Sequence, residues 1–211
     1  MRMKKKGTLV VISGFSGAGK GTVCNRLKEK YGYSLSVSMT TRQPREGEQE
    51  GVEYYFRDES EFLRLIDYNG FIEFARYVDH YYGTPRQFVE DELEAGHVIL
   101  LEIEVQGAVS IRNQYPDAVL IFITTPSVGE LVDRLTGRGT ESPEVIDKRM
   151  KRAAQEAMSI DEYAYIVCNE KDRLDECVEQ VHAIIESSQT MTERNRAFIK
   201  TIQEELQDRT R

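Results

Sequence analysis

The segment SGFSGAGKGTV, residues 13–23, carries the densest chemical signal in the chain. Gly14, Gly19 and Lys20 have the spacing of a phosphate-binding loop, with Gly17 between them. Glycine reaches backbone angles closed to other residues, so the amides from Gly14 through Phe15, Ser16, Gly17, Ala18 and Gly19 can turn toward phosphate oxygens. A helix starting at Lys20 adds the positive end of its dipole, and the lysine adds a full charge suited to the β- and γ-phosphates of a nucleoside triphosphate. Many such loops have a serine or threonine directly after the lysine to reach Mg²⁺. Here Gly21 follows the lysine, and the hydroxyl comes one place later, at Thr22. The plainer reading, a glycine-rich turn with an incidental lysine, does not explain the strand-like run before the loop and the helix-like run after it.

A second group of residues suits an acceptor that is itself a phosphate. Arg42 and Arg45 flank Pro44, which restrains the backbone and keeps two guanidinium groups near one place. Tyr54 and Tyr82 add hydroxyl donors. In isolation two solvated surface arginines would read equally well, but a glycine-rich polar turn leads from them straight into the tyrosines. Glu102, at the end of an apolar run, is placed to orient Mg²⁺-bound water, although hydrated Mg²⁺ is expected to rest mainly on phosphate and water oxygens. No Ser–His–Asp or Cys–His arrangement stands out. His80, His97 and His182 lack metal-site spacing, and Cys24, Cys168 and Cys177 read as buried thiols of a reducing cytoplasm.

Something must hold these groups in place. The chain has 211 residues, 40% hydrophobic and 30% charged, which is the profile of a globular domain. Its net charge of −8 argues against general nucleic-acid binding, and no run approaches the ~18–20 apolar residues of a membrane span. Near-continuous apolar runs at 8–13, 97–103, 118–124 and 163–168 predict strands covered on both faces, and 33–39 predicts another. Helical stretches at 20–30, 106–114, 127–136, 144–160 and 171–187 alternate with them. The prediction is an α/β core with a parallel sheet between helices, its ligands at the carboxyl ends of the strands. Residues 1–39 and 97–211 form that core, 40–96 an inserted lobe and about 134–152 a mobile cover. In the tail, Phe198, Ile199, Ile202 and Leu206 mark an amphipathic helix, read as folding back onto the core, with a dimer face as the alternative. Whether the chain is a monomer or a homo-oligomer stays open.

The stretch GAGKGT is similar to the loop of adenylate kinases and related nucleoside-monophosphate kinases, which also have glycine after the lysine. In order along residues 8–187, SMTTRQPREGE, EYYF, FIEFARYVDHYYGTP, LLEIEVQG, RLTGRGTE and DKRM resemble guanylate kinase. That resemblance implies a P-loop kinase core, a GMP-binding lobe and a lid, and transfer of phosphate from MgATP to GMP. It places Arg42, Arg45, Tyr54 and Tyr82 on the GMP phosphate, and Ser38, Glu73, Thr84 and Glu104 around the guanine. Chemistry supports Glu73 independently, because guanine presents N1–H and an N2 amine side by side and one carboxylate accepts both. A charged residue on the solvent face of a strand is the plainer reading of Glu73 alone. The resemblance also puts Arg134, Arg138 and Arg149 over the transferring phosphate and Asn169 near the ATP base, whereas Lys151 and Arg152 read as helix-surface basicity. Two residues depart from the family pattern. Phe15 replaces a proline, its side chain expected to pack outward, and Glu104 replaces an aspartate. The tail beyond 188 lies outside the resemblance. Two other readings stay open, a non-catalytic guanylate kinase-like binding module and a P-loop kinase for another small phosphate acceptor.

Overall fold

The structure, a computed structural model, describes residues 7–77, 79–137 and 143–210. The first apolar run forms β1 (Thr8–Gly14), buried along its whole length, and α1 (Lys20–Tyr31) follows the loop. Strands β2 (Ser34–Leu35), β7 (Val98–Glu102), β8 (Val119–Thr124) and β9 (Tyr165–Cys168) join β1 in one sheet, ordered β2-β7-β1-β8-β9. Every pairing in it is parallel. Alternate residues of β1 feed two different cores. Val10 and Ile12 pack with Val23 and Leu27 of α1 and with Val178 and Val181 of α7 (Leu174–Ser188). Leu9 and Val11 pack with Val89 of α3 (Arg86–Ala95) and with Ala108 and Ile111 of α4 (Val105–Gln114). A strand buried on both faces needs apolar residues at every position, which is why the run is continuous.

A second sheet combines β3 (Ser38–Thr40), β4 (Tyr54–Phe56), β5 (Phe71–Tyr77) and β6 (His80–Pro85) in the order β4-β3-β6-β5. It is mixed, with β3 parallel to β4 and antiparallel to β6. Helix α2 (Glu59–Asp67) closes this lobe, capped by Asp58, whose carboxylate accepts from the Glu61 amide. Its core stacks Phe62 on Phe71, with Met39 beside them. Helices α5 (Val128–Gly137) and α6 (Pro143–Ala157) share a small core of Leu131, Leu135 and Ala153. The last helix is α8 (Arg196–Arg209).

The structure corrects three expectations. Residues 33–39 are not one strand: Ser34 pairs with Ile99 in the main sheet, and Ser38 pairs with Tyr54 in the lobe. The alternating pattern marks extended chain but not the sheet that accepts its hydrogen bonds. The tail helix does not fold back onto the core. None of its residues is buried, and Ile202 and Leu206 are 40% and 58% exposed. Among the described residues its root is tied down, where the Arg194 guanidinium donates to Gly7 O and Thr8 Oγ1, and Phe198 and Ile199 at its start are half-buried. Cys168 is only half-buried, unlike Cys24 and Cys177, and all three thiols are free. No helix among the described residues is long and apolar enough to cross a membrane.

Candidate active site

Four strand ends converge where the chain order reverses around β1: Gly14, Glu102, Thr124 and Cys168. Open parallel sheets place their ligand crevice there. Gly14 has φ +150°, and a Cβ on it would lie 2.0 Å from the Ile123 carbonyl oxygen, so only glycine lets the loop leave β1 this close to β8. Gly19 takes a left-handed conformation as the residue preceding α1. Gly14→Ala should therefore cost about 3 kcal/mol or more, combining backbone strain with a clash against main chain. An unchanged urea unfolding midpoint would count against this account of the loop.

The loop is closed by its own side chains and by the cover above it. Lys20 Nζ donates to Gly14 O at 2.7 Å and to Phe15 O at 3.3 Å. Asn169, buried just past β9, donates from Nδ2 to Ala18 O at 2.8 Å, and Arg134 donates to Ala18 O and to Asn169 O. Arg134 also pairs with Glu130 one turn earlier. Arg149 of α6 donates to Ser16 Oγ at 2.6 Å. Arg134, Arg149 and Asn169 thus meet at the loop from three elements; Arg138 lies outside the described residues. Phe15 does not pack outward. Its ring meets Phe122 edge-on at 5.0 Å and joins the core beneath α5 and α6, because burial and an aromatic partner outweigh exposure to water.

Gly21 has a structural reason. A Cβ there would come within 3.3 Å of Glu102 Oε2, so the glycine leaves room for the carboxylate at the end of β7. Glu102 is open to cleft water yet walled by protein. Burial raises its carboxyl above the ordinary glutamate range, while Lys20 pulls it down and Glu104 pushes it up. Thr22 is exposed at the start of α1.

Across the cleft, the lobe builds two clusters. In the first, Arg42 donates to Glu48 Oε1 at 2.8 Å and to Gln43 O at 2.7 Å, and lies over the Tyr54 ring at 5.5 Å. Tyr54 meets Tyr82 edge-on at 5.9 Å. Its phenol is pushed up to about 12, first by burial and then by Glu102 and Tyr82, so it remains a hydrogen-bond donor. Arg45 is exposed at the mouth of the cluster, and its backbone amide donates to Glu48 Oε2. Glu48 was not singled out from sequence, although its place three residues after Arg45 in a tight turn is the available signal.

In the second cluster Glu73 of β5 is only 7% exposed, and Thr84 of the paired strand β6 donates to its Oε1 at 2.6 Å. Burial raises the Glu73 carboxyl, and the Thr84 hydrogen bonds offset this in part. Against its other oxygen lies α4: a Cβ on Gly107 would sit 2.5 Å from Oε2. Ser38 is half-buried on β3, and Glu104 immediately precedes α4. A buried carboxylate with one hydroxyl donor and little bulk before it is arranged to accept a further pair of N–H groups.

The sequence of this chain matches the guanylate kinase family over residues 6–188. It is 48% identical over 206 residues to the guanylate kinase of Caldanaerobacter subterraneus subsp. tengcongensis, covering 97% of this chain and 99% of that one. The chain belongs to the guanylate kinase family. The guanylate kinase of Halalkalibacterium halodurans is 45% identical, covering 90% of this chain and 93% of its own. The crystal structure of guanylate kinase from Anaplasma phagocytophilum superposes with a TM-score of 0.74 at 34% identity, over 91% of both chains. The α/β core is therefore the P-loop kinase fold of this family. The family match ends at residue 188, whereas the Caldanaerobacter similarity runs on into α8, so the tail is shared with that relative.

One basic residue was misjudged. Lys151 does lie on the surface, paired with Asp147, but Arg152 points inward. It donates to Glu156 Oε1 at 2.8 Å and to Glu104 Oε2 at 3.3 Å, and Glu156 is only 8% exposed. Consecutive lysine and arginine residues carry no local signal of which one faces the cleft. That depends on how α6 lies against the end of β7.

Proposed function

We propose that this chain transfers the γ-phosphoryl group of ATP to the phosphate of GMP, giving ADP and GDP. The observation that carries the proposal is the buried Glu73–Thr84 pair set against the start of α4, which follows β7, beside a complete phosphate-binding loop on the neighbouring strand β1. Guanine supplies the two adjacent N–H donors that Glu73 lacks, and Ser38, Thr84 and Glu104 surround the base. Adenine would leave a buried carboxylate unpaired, an arrangement able to discriminate by ~10⁴–10⁵.

In this reading Arg42, Arg45, Tyr54 and Tyr82 hold the GMP phosphate, and Glu48 keeps Arg42 in place before substrate arrives. The loop amides from Gly14 to Thr22 cradle the triphosphate, with Asn169 bracing the loop from below. Lys20 leaves its two carbonyl partners for the β- and γ-phosphates. Arg134, Arg138 and Arg149 offset charge on the transferring group. The acceptor oxygen is already anionic, so no general base is required, and catalysis is alignment plus charge neutralisation. The donors beside the loop, the Glu102 carboxylate and the Thr22 hydroxyl, are hard oxygens that fit Mg²⁺. When bound, Mg²⁺ would neutralise phosphate charge and be held chiefly by phosphate and water oxygens, with Glu102 orienting that water. The sheet of β3–β6 with α2 acts as the acceptor lobe, which begins at Ser38 rather than residue 40 and leaves α3 to the core, and 134–152 acts as a lid that closes and excludes water. The site of action is the cytoplasm.

Coupled ADP release from MgATP, compared across GMP, dGMP, AMP, CMP and UMP, tests the proposal. Turnover should be rapid with GMP and at least about 10³-fold poorer with AMP, given the unpaired carboxylate. Turnover with another acceptor would move base recognition away from Glu73. ATP binding without turnover on any acceptor would leave a binding module.

A further inference from the structure

Glu102, Glu104 and Glu156 lie close enough to act on one another's charge, and Glu73 sits against Gly107 of the helix that Glu104 precedes. Burial raises the Glu102 and Glu156 carboxyls, and the neighbouring charge of Glu104 adds to the rise in both. Arg152 is the cation that ties two of them together, with Nε on Glu156 and Nη2 on Glu104. The three residues come from different places in the fold. Glu104 closes the β7–α4 junction, whereas Arg152 and Glu156 lie one turn apart on α6. Glu156 is buried and Arg152 is largely so, with 29% of its side chain exposed, so the guanidinium has a fixed base. Glu104 is 48% exposed and meets Arg152 through Oε2. The same first turn of α4 carries Gly107, which abuts Glu73. The carboxylate assigned to the guanine edge and the one held by Arg152 are therefore linked through a single helix start.

We propose that Arg152 is a positioning residue for guanine recognition: anchored on buried Glu156, it holds the Glu104 carboxylate toward the base and so ties acceptor binding to the lid helix α6. The inference rests on the guanylate kinase reading above. It also accounts for the extra methylene of Glu104, which gives the carboxylate the reach to touch α6 and the base at once. A merely structural arginine would act on stability, and its loss would be indifferent to the residue at 104. A guanidinium acting on the transferring phosphoryl group would alter turnover rather than acceptor affinity.

The experiment is a double-mutant cycle read by calorimetric titration of GMP, with ADP release measured in parallel. Arg152→Met should weaken GMP binding about tenfold while kcat at saturating GMP stays within about threefold, and Arg152→Lys should recover part of the loss. In a Glu104→Gln background the same Arg152→Met change should alter GMP affinity less than about twofold. Equal losses in both backgrounds, or unchanged affinity with a large fall in kcat, would overturn the inference. Should Arg152→Met not fold, Arg152→Lys combined with Glu104→Asp completes the cycle, the shorter carboxylate losing its reach to α6. Binding reads the inference and ADP release reads the kinase reading, so each fails on its own measurement. A wild-type protein that binds GMP without releasing ADP counts against the kinase reading alone.

Discussion

Replacing Glu73 by glutamine should lower kcat/KM for GMP by about 10³-fold, the equivalent of roughly 4 kcal/mol. The carboxylate is 7% exposed, and Thr84 donates to it from its side chain and its backbone. Its remaining capacity is satisfied only by a ligand carrying paired N–H groups. Glutamine keeps the shape but turns one acceptor into a donor, so a guanine N–H would meet another N–H in a place water barely reaches. The loss should fall mainly on KM, because these bonds form in the ground state as well as in the transition state. Selection of GMP over AMP should shrink with it.

A pH measurement gives the same residue a second readout. Burial raises the Glu73 carboxyl in the free protein, whereas guanine N–H donors favour its ionised form. Binding should therefore release protons, and affinity should fall as pH is lowered through that raised pKa. Guanosine is the ligand to use, because it lacks a phosphate that titrates. Glu73→Gln should be flat over the same range. The sign for stability is the opposite of the usual carboxylate case. A group whose folded pKa is raised stabilises the fold as pH falls and opposes it once ionised. Glu73→Gln should thus melt no lower than the parent at neutral pH. A lower melting temperature, or an unchanged GMP KM, would reject the assignment.

Lys20→Ala should reduce kcat by about 10³-fold while changing GMP affinity less than about twofold. Lys20 is the full positive charge inside the loop, and its ammonium is already held 2.7 Å from Gly14 O, next to the phosphate site. Charge that develops on the transferring oxygens is offset there without reorganising water. In the proposed reading Arg42, Arg45, Tyr54 and Tyr82 hold the GMP phosphate, which is why GMP binding should survive. Arginine at this position should restore little, since a planar fork cannot follow the path of a compact ammonium between loop carbonyls and phosphates. Single-turnover ADP formation at saturating ATP and GMP measures the effect. A fall smaller than tenfold would remove Lys20 from the catalytic machinery. Stability should fall by about 1 kcal/mol, because the Gly14 and Phe15 carbonyls lose their ammonium donor.

The most local features of this protein were determined by sequence alone. The strand, loop and first helix are contiguous, and the required conformations are reported by residue type: Gly14 and Gly19 at positive φ, Lys20 at the first turn. The continuous apolar runs were equally legible, since burial on both faces of a parallel sheet leaves no room for alternation. The family motifs extended this to the acceptor lobe, where Glu73 and Thr84 stand eleven residues apart and meet across one antiparallel pair.

What tertiary structure alone decided depends on partners far along the chain. Phe15 turns inward because Phe122 waits beneath it, more than a hundred residues away. Extended residues 33–39 divide between two sheets because each half finds its hydrogen-bond partners in a different one. The apolar stripe of α8 has the spacing of a buried face, yet Leu206 is 58% exposed, because periodicity shows which residues share a face and not what meets it. Arg152 directly follows surface Lys151, and only the seating of α6 over the end of β7 turns it onto Glu104 and Glu156. Charge, period and turn residues are properties of the local chain. Burial and pairing are properties of the space between distant segments, and the side chains that link the two halves of this cleft are chosen there.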